Sequence, residues 1–140
     1  MTGPRFLLDT NVVSEPLKPQ PNPKVLSLLR AHGEAVAIAS VTYHEMKYGC
    51  HKLPESAKKQ RIELYLQQRV EALLPILPYD ERAATWHAIE RDRLTKQGKT
   101  PPHLDSQIAA IAVVNRLTLV TRNVADFDAF QDLLIENWFD

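Results

Sequence analysis

The chain has 140 residues, 44% of them hydrophobic and 24% charged, which suits one domain, residues 1–140, that buries roughly 70% of its unfolded-chain surface. Seventeen Lys and Arg balance 17 Asp and Glu, so the total charge supplies no pull toward nucleic acid or an anionic bilayer, and any such attraction must come from local asymmetry. The single cysteine, Cys50, excludes an internal disulfide framework; with no bilayer-spanning apolar run and no secretory leader pattern, no membrane association is expected and the cytoplasm is the expected compartment.

In chain order, residues 5–8 read as a buried strand, and the Pro-rich stretch 16–23 as a loop within the domain. Residues 23–32 form a helix with Val25, Leu28 and Leu29 on one face, closed by Gly33. The run AVAIAS at 35–40 is a second strand, followed by helix over 41–49. Pro54 is expected to open a longer amphipathic helix, 54–74, with Ile62, Leu66, Val70 and Leu73 on one stripe. A short strand at 76–78 precedes a helix over 80–97 that ends at Gly98. Thr100 and Pro101 then look like the cap and first position of another helix. LTLVT at 117–121 is a third clear strand, and LLIEN near the end a last edge strand. Strands alternating with helices predict an α/β fold with a mostly parallel sheet.

Four acids fall at equivalent points of that frame. Asp9 ends the first strand, Glu45 lies on the helix after the second, Asp105 opens the helix before LTLVT, and Asp126 follows that strand. In a parallel sheet these points share the rim at the carboxyl ends of the strands, where ligands bind. Converging carboxylates repel one another, and a hard cation with oxygen ligands, Mg²⁺ or Mn²⁺, is the simplest way to keep them ionised. Each acid also has a plainer reading: Asp9 as a helix N-cap, Glu45 as a solvated helix charge, Asp105 as a first-turn acid favoured by the helix dipole, Asp126 as a turn residue.

The ordered set LLDTN, the Glu of SVTYHEMKYG, the Asp of LDSQIAAIA, and TRNVADF resembles the PIN-domain ribonucleases. LLDTNVVSEPLKPQPN resembles more closely the VapC and FitB branch, the toxin halves of bacterial toxin–antitoxin pairs. The resemblance implies a PIN-like three-layer α/β/α sandwich and a metal-dependent endoribonuclease cutting RNA, tRNA among the candidates. It assigns Asp9, Glu45, Asp105 and Asp126 to the acidic quartet that is both catalytic and metal-binding, with Asn11, Thr121 and Asn123 as supporting polar residues. It implies a homodimer, a cognate antitoxin of the VapB or FitA kind, and operon DNA reached only through that antitoxin. A PIN-like module that binds RNA or protein without cleaving is the alternative.

Metal-held carboxylates suit RNA hydrolysis, because the metal makes a nucleophile from water and neutralises charge at phosphorus. A polyanion approaching four acids also needs cations at the rim, and Lys18, Lys24, Arg91, Arg93, Lys96, Lys99 and Arg122 are candidates. The stripe on residues 54–74, with Ile62, Tyr65, Leu66 and Leu73, is a candidate wall for a partner's groove, and equally a core face. Other chemistries lack their residues: Cys50 and His51 are helix neighbours that point apart, no G-x-S-x-G elbow or Gly-rich phosphate loop is present, and His32, His44, His51, His87 and His103 have no zinc spacing.

Overall fold

The structure is a computed structural model and describes residues 3–140. Five short strands build its sheet: β1 (Phe6–Leu8), β2 (Val36–Ala39), β3 (Ile76–Leu77), β4 (Thr118–Val120) and β5 (Ile135–Glu136). They lie in the order β3-β2-β1-β4-β5, and every pairing is parallel, so the sheet is wholly rather than mostly parallel. Phe6 stands level with Val36 on one side and Thr118 on the other, which puts β1 at the centre.

Central parallel strands are apolar on both faces, and β1 divides its side chains accordingly. Leu7 joins Ala37, Ala39 and Leu119 on one face, beneath helices α5 (Glu81–Lys96) and α6 (His103–Val114). Phe6 and Leu8 join Val36, Ile38 and Val120 on the other. That face is covered by α1 (Thr10–Val13), α2 (Pro23–Ala31), α3 (Ser40–His51) and α4 (Ala57–Tyr65), through Val12, Val25, Met46 and Tyr65 among others. A short α7 (Val124–Phe127) follows β4. The result is a three-layer α/β/α sandwich with one core on each side of the sheet.

Three expectations about helix boundaries need correction. Pro54 does not open the fourth helix; it begins at Ala57, where the Ser56 side chain accepts from the Lys59 N–H at 3.1 Å. That helix also does not continue regularly to residue 74. From Leu66 to Glu71 it winds as a π-helix, with the Ala72 N–H reaching back to the Gln67 carbonyl. The wider turn sets the apolar stripe back by roughly one residue. Leu66 and Val70 stay buried, while Leu73 swings out to 62% exposure.

Thr100 does not cap the sixth helix, which starts at His103 with Pro102 as its N-cap. A residue before proline is driven to extended backbone, so Pro101 cannot take helical geometry ahead of Pro102. Gly98, at φ 76°, closes α5 as expected: the Lys99 N–H bonds the Leu94 carbonyl and the Gly98 N–H that of Thr95.

Candidate active site

Parallel topology sends the ends of β1, β2 and β4 to one rim, and α6, running back toward β4, starts on that same rim. The rim therefore carries all four acids. Asp9 is 8% exposed and is the N-cap of α1, its Oδ1 accepting the Thr10 N–H at 2.9 Å. Its Oδ2 accepts the buried Thr121 hydroxyl at 2.8 Å and the Asn11 side-chain amide at 3.4 Å. The capping reading and the site reading of Asp9 thus coincide: the cap fixes one oxygen, and strand β4 fixes the other.

The polar residues around it form a linked set. Thr121 Oγ1 accepts the Asn123 N–H at 3.0 Å, and Asn11 Oδ1 accepts the Arg122 N–H at 3.1 Å. Asn123 therefore joins through its backbone. Thr10, within the DTN motif but not singled out from the sequence, donates its hydroxyl to Glu45 Oε1 at 3.2 Å and so couples two of the acids. A hydroxyl next to a motif acid was the only signal for it.

Asp105 sits half-buried in the first turn of α6 and, among the described residues, accepts no hydrogen bond. Burial first, and then the negative charges of Asp126, Asp9 and Glu45, push its carboxyl up to about 6. Glu45 is half-buried on α3, and Asp126 is exposed in the first turn of α7. Among the described residues none of the four forms an ion pair. Nor do any three His, Cys, Asp or Glu side chains there form a ready-made metal cage. An oxygen-only donor set that is unpaired and mutually repelling suits a hard divalent cation that keeps several of its own waters, rather than a closed all-protein shell.

The cationic candidates separate clearly. Lys18 pairs with Glu15 at 3.0 Å, Arg93 with Glu90 at 2.7 Å and Lys96 with Asp92 at 2.8 Å, so much of their charge is already answered. Arg122, Lys24, Arg91 and Lys99 have no ion-pair partner among the described residues. Glu15, 3% exposed, gave no sign in the sequence that it would be buried.

His87 and His103, read as isolated, lie with ring centroids 5.7 Å apart, and the Tyr79 hydroxyl is 2.7 Å from His87 Nδ1. Cys50 is buried with its sulfur toward the Lys59 carbonyl at 3.8 Å, away from the exposed His51. His44 stacks against Tyr48 at 6.4 Å on the exposed side of α3.

Sequence and fold comparisons bear on the family of the chain. The chain is 36% identical over 138 residues to Toxin FitB of Neisseria gonorrhoeae, covering 96% of this chain and 99% of that one. It is 30% identical over 136 residues to the tRNA(fMet)-specific endonuclease VapC of Shigella flexneri, covering 96% and 98%. The solved structure of FitAB bound to an IR36 DNA fragment superposes with a TM-score of 0.88 at 36% identity, covering 96% of each chain. The PIN domain model matches residues 6–132, which takes in β1, β2, β4 and all four rim acids, and the chain belongs to the PIN domain family.

Proposed function

We propose that this chain is a Mg²⁺- or Mn²⁺-dependent endoribonuclease, the toxin of a type II toxin–antitoxin pair. The observation that carries the reading is Asp105: a half-buried acid with no hydrogen-bond or ion-pair partner among the described residues, its carboxyl raised by burial and by three neighbouring acids. Asp9, Glu45 and Asp105 would hold the metal directly or through its waters, with Asp126 completing the site. The bound metal would supply a water-derived nucleophile and charge neutralisation at phosphorus. The chain's own work is positional. Thr10, Asn11 and Thr121 lock both oxygens of Asp9, and the Thr10 hydroxyl orients Glu45.

The names of the relatives support one substrate class. One is named a tRNA(fMet)-specific endonuclease, so a structured RNA such as tRNA is the proposed target. FitB is named a toxin, and FitAB has been solved on DNA. An antitoxin partner is proposed here on that basis, with operon DNA contacted through that partner and the toxin paired as a homodimer. An apolar cleft of about 590 Å³ between α2 and the π-helical turn, lined by Leu26, Leu29, Tyr65, Leu73 and Leu74 with Arg30 and Arg69 at its edge, offers the antitoxin a helix-sized seat.

The test is RNA-end sequencing after brief expression, wild type beside Asp9→Asn, together with cleavage of purified RNA before and after chelation. Cuts that appear only with wild type, stop with chelator and return with Mg²⁺ or Mn²⁺ support the reading. Binding of RNA without metal-dependent cleavage would identify the non-cleaving module instead.

A further inference from the structure

Beside Asp9 in the chain's hydrogen-bond network stands a cation, Arg122. Arg122 directly follows Thr121, whose hydroxyl holds Asp9, and its own N–H donates to Asn11, which also reaches Asp9. Its backbone is therefore tied to the acidic centre from two sides. Its guanidinium lies over the Phe139 ring, 4.8 Å from the centroid, and among the described residues donates no hydrogen bond and forms no ion pair. Stacking uses the face of the guanidinium and leaves its edge N–H groups free for an anion.

The seat beneath it is fixed. The Phe139 N–H donates to Asn137 Oδ1 at 2.9 Å, and its carbonyl accepts from the Asn22 side chain at 3.5 Å, which ties the C-terminal segment to the start of α2. Asn22 also donates its N–H to Glu15 Oε2 at 2.8 Å. Burial alone would raise the Glu15 carboxyl, but the Asn22 N–H, Lys18 and Arg122 together bring it below its ordinary value. Lys18 pairs with this buried carboxylate and Arg122 acts on it from further off, so the Arg122 guanidinium is not taken up by an ion pair.

We propose that Arg122, seated on Phe139, is a phosphate-binding subsite that anchors the RNA strand beside Asp9. The inference rests on the RNA-cleaving reading above and adds to it the point at which the chain grips the backbone. A polyanion meeting four carboxylates is repelled unless a cation of fixed position offsets them, and Arg122, without an ion-pair partner among the described residues, has its backbone bonded into the Asp9 network. A planar donor fork matches a phosphodiester better than a mobile ammonium does.

The test uses bulk tRNA as probe. Binding is measured against salt in an Asp9→Asn background, so that no cleavage intervenes, and steady-state cleavage is measured in the otherwise wild-type chain. Arg122→Ala should weaken binding about tenfold, the loss of one charge-assisted contact, and reduce the slope of log affinity against log salt by about 0.7. KM should rise by a similar factor, with kcat within about twofold. Arg122→Lys should restore the salt slope but only part of the affinity. Phe139→Leu should lower affinity with the slope intact, because the charge remains while its seat is lost. Lys52→Ala, at the far end of α3, removes a charge from the opposite rim and should change neither quantity. Because only the backbone of Arg122 bonds Asn11, Arg122→Ala should melt within about 2 °C of wild type.

Should Arg122→Ala keep wild-type affinity and salt slope while the parent binds and cleaves tRNA, the subsite is wrong and the nuclease reading stands. A fall in kcat without a change in KM or slope would make Arg122 a structural support only, and would also overturn the proposal. If the wild-type chain neither binds nor cleaves tRNA, the reading on which the proposal rests falls with it.

Discussion

Two carboxylates on neighbouring helices of the same layer have been put to opposite uses. Glu90 on α5 is 4% exposed and fully answered: Arg93 donates to both of its oxygens at 2.8 and 2.7 Å, and the Gln131 N–H adds a third bond at 2.6 Å. The Arg93 hydrogen bonds hold its carboxyl below the usual value against the opposing effect of burial. Because Arg93 also bonds the Ala129 carbonyl, the pair staples α5 to the segment after α7. Asp105 on α6 has no such partner, and burial with three like charges raises its carboxyl to about 6. The first acid stabilises the fold. The second is left without a counter-charge, and a bound cation, on the reading proposed above, would supply one.

The comparison is broken most sharply by neutralising each acid in turn. Asp105→Asn should reduce metal-dependent cleavage at least about 100-fold, the scale on which a well-placed charge at a reacting centre contributes, and should hold or slightly raise the metal-free melting temperature by relieving repulsion. Glu90→Gln should do the reverse. It leaves Arg93 and the Gln131 N–H poorly answered in a buried corner, at a cost of about 3 kcal/mol and a drop of about 10 °C in melting temperature. Cleavage per folded molecule should stay near wild type. Scanning calorimetry beside a cleavage assay on the same samples separates the two axes, and a Glu90→Gln protein that is stable but inactive would contradict the division.

A smaller effect is expected one hydrogen bond away from the acids. Thr121 is wholly buried, and its hydroxyl both donates to Asp9 Oδ2 and accepts the Asn123 N–H. Thr121→Val keeps the shape and removes both bonds. By analogy with partners that orient metal ligands, metal affinity should fall about tenfold, read as the divalent concentration that gives a half-maximal rise in melting temperature. An unchanged midpoint would mean that the Thr10 N–H and Asn11 suffice to orient Asp9.

The rim was legible in the sequence because it depends on two robust patterns. Apolar runs such as FLL and VAIA mark buried strands, and strict alternation with helices makes them parallel, so acids at strand ends and helix starts must meet on one edge. What escaped depends on side chains finding one another in three dimensions. Thr10 answers a carboxylate 35 residues away, and Glu15 is buried by a loop return at Asn22. Arg93 read as a rim cation, yet its partner lay three residues earlier on the same helix face and satisfies it inside the fold. The π-helical turn had no signature, because Ile62, Leu66, Val70 and Leu73 are spaced as in a regular helix. Part of the late start of α6 was readable after all: Pro102 drives Pro101 out of helical geometry, so the helix cannot begin there.

The smallest expected effect is also the most direct reading of the difference between the two acids, because their stability contributions run in opposite directions with pH. In an unfolded chain Asp105 titrates near its ordinary 3.8, whereas in the folded protein it does so near 6. Between those values the folded state keeps a proton that the unfolded state has released, so metal-free stability from this group is full below about pH 3.8 and declines as pH rises toward 6. Glu90 behaves oppositely: its folded value lies below its ordinary 4.5, so its contribution is present above that pH and is lost as acid is added. Solvent reaches the half-buried Asp105 and screens its neighbours, so the decline should amount to about 2 °C in melting temperature rather than a full desolvation penalty. Melting curves in chelator between pH 4 and 6.5 should show wild type losing ground to Asp105→Asn as pH rises. Saturating Mg²⁺ should cancel or reverse that loss, since a bound cation favours the carboxylate that the apo rim disfavours. Parallel curves for wild type and Asp105→Asn across this window would mean that the acids are too far apart, or too well hydrated, to feel one another, and the rim would lose its main electrostatic reason for binding a cation.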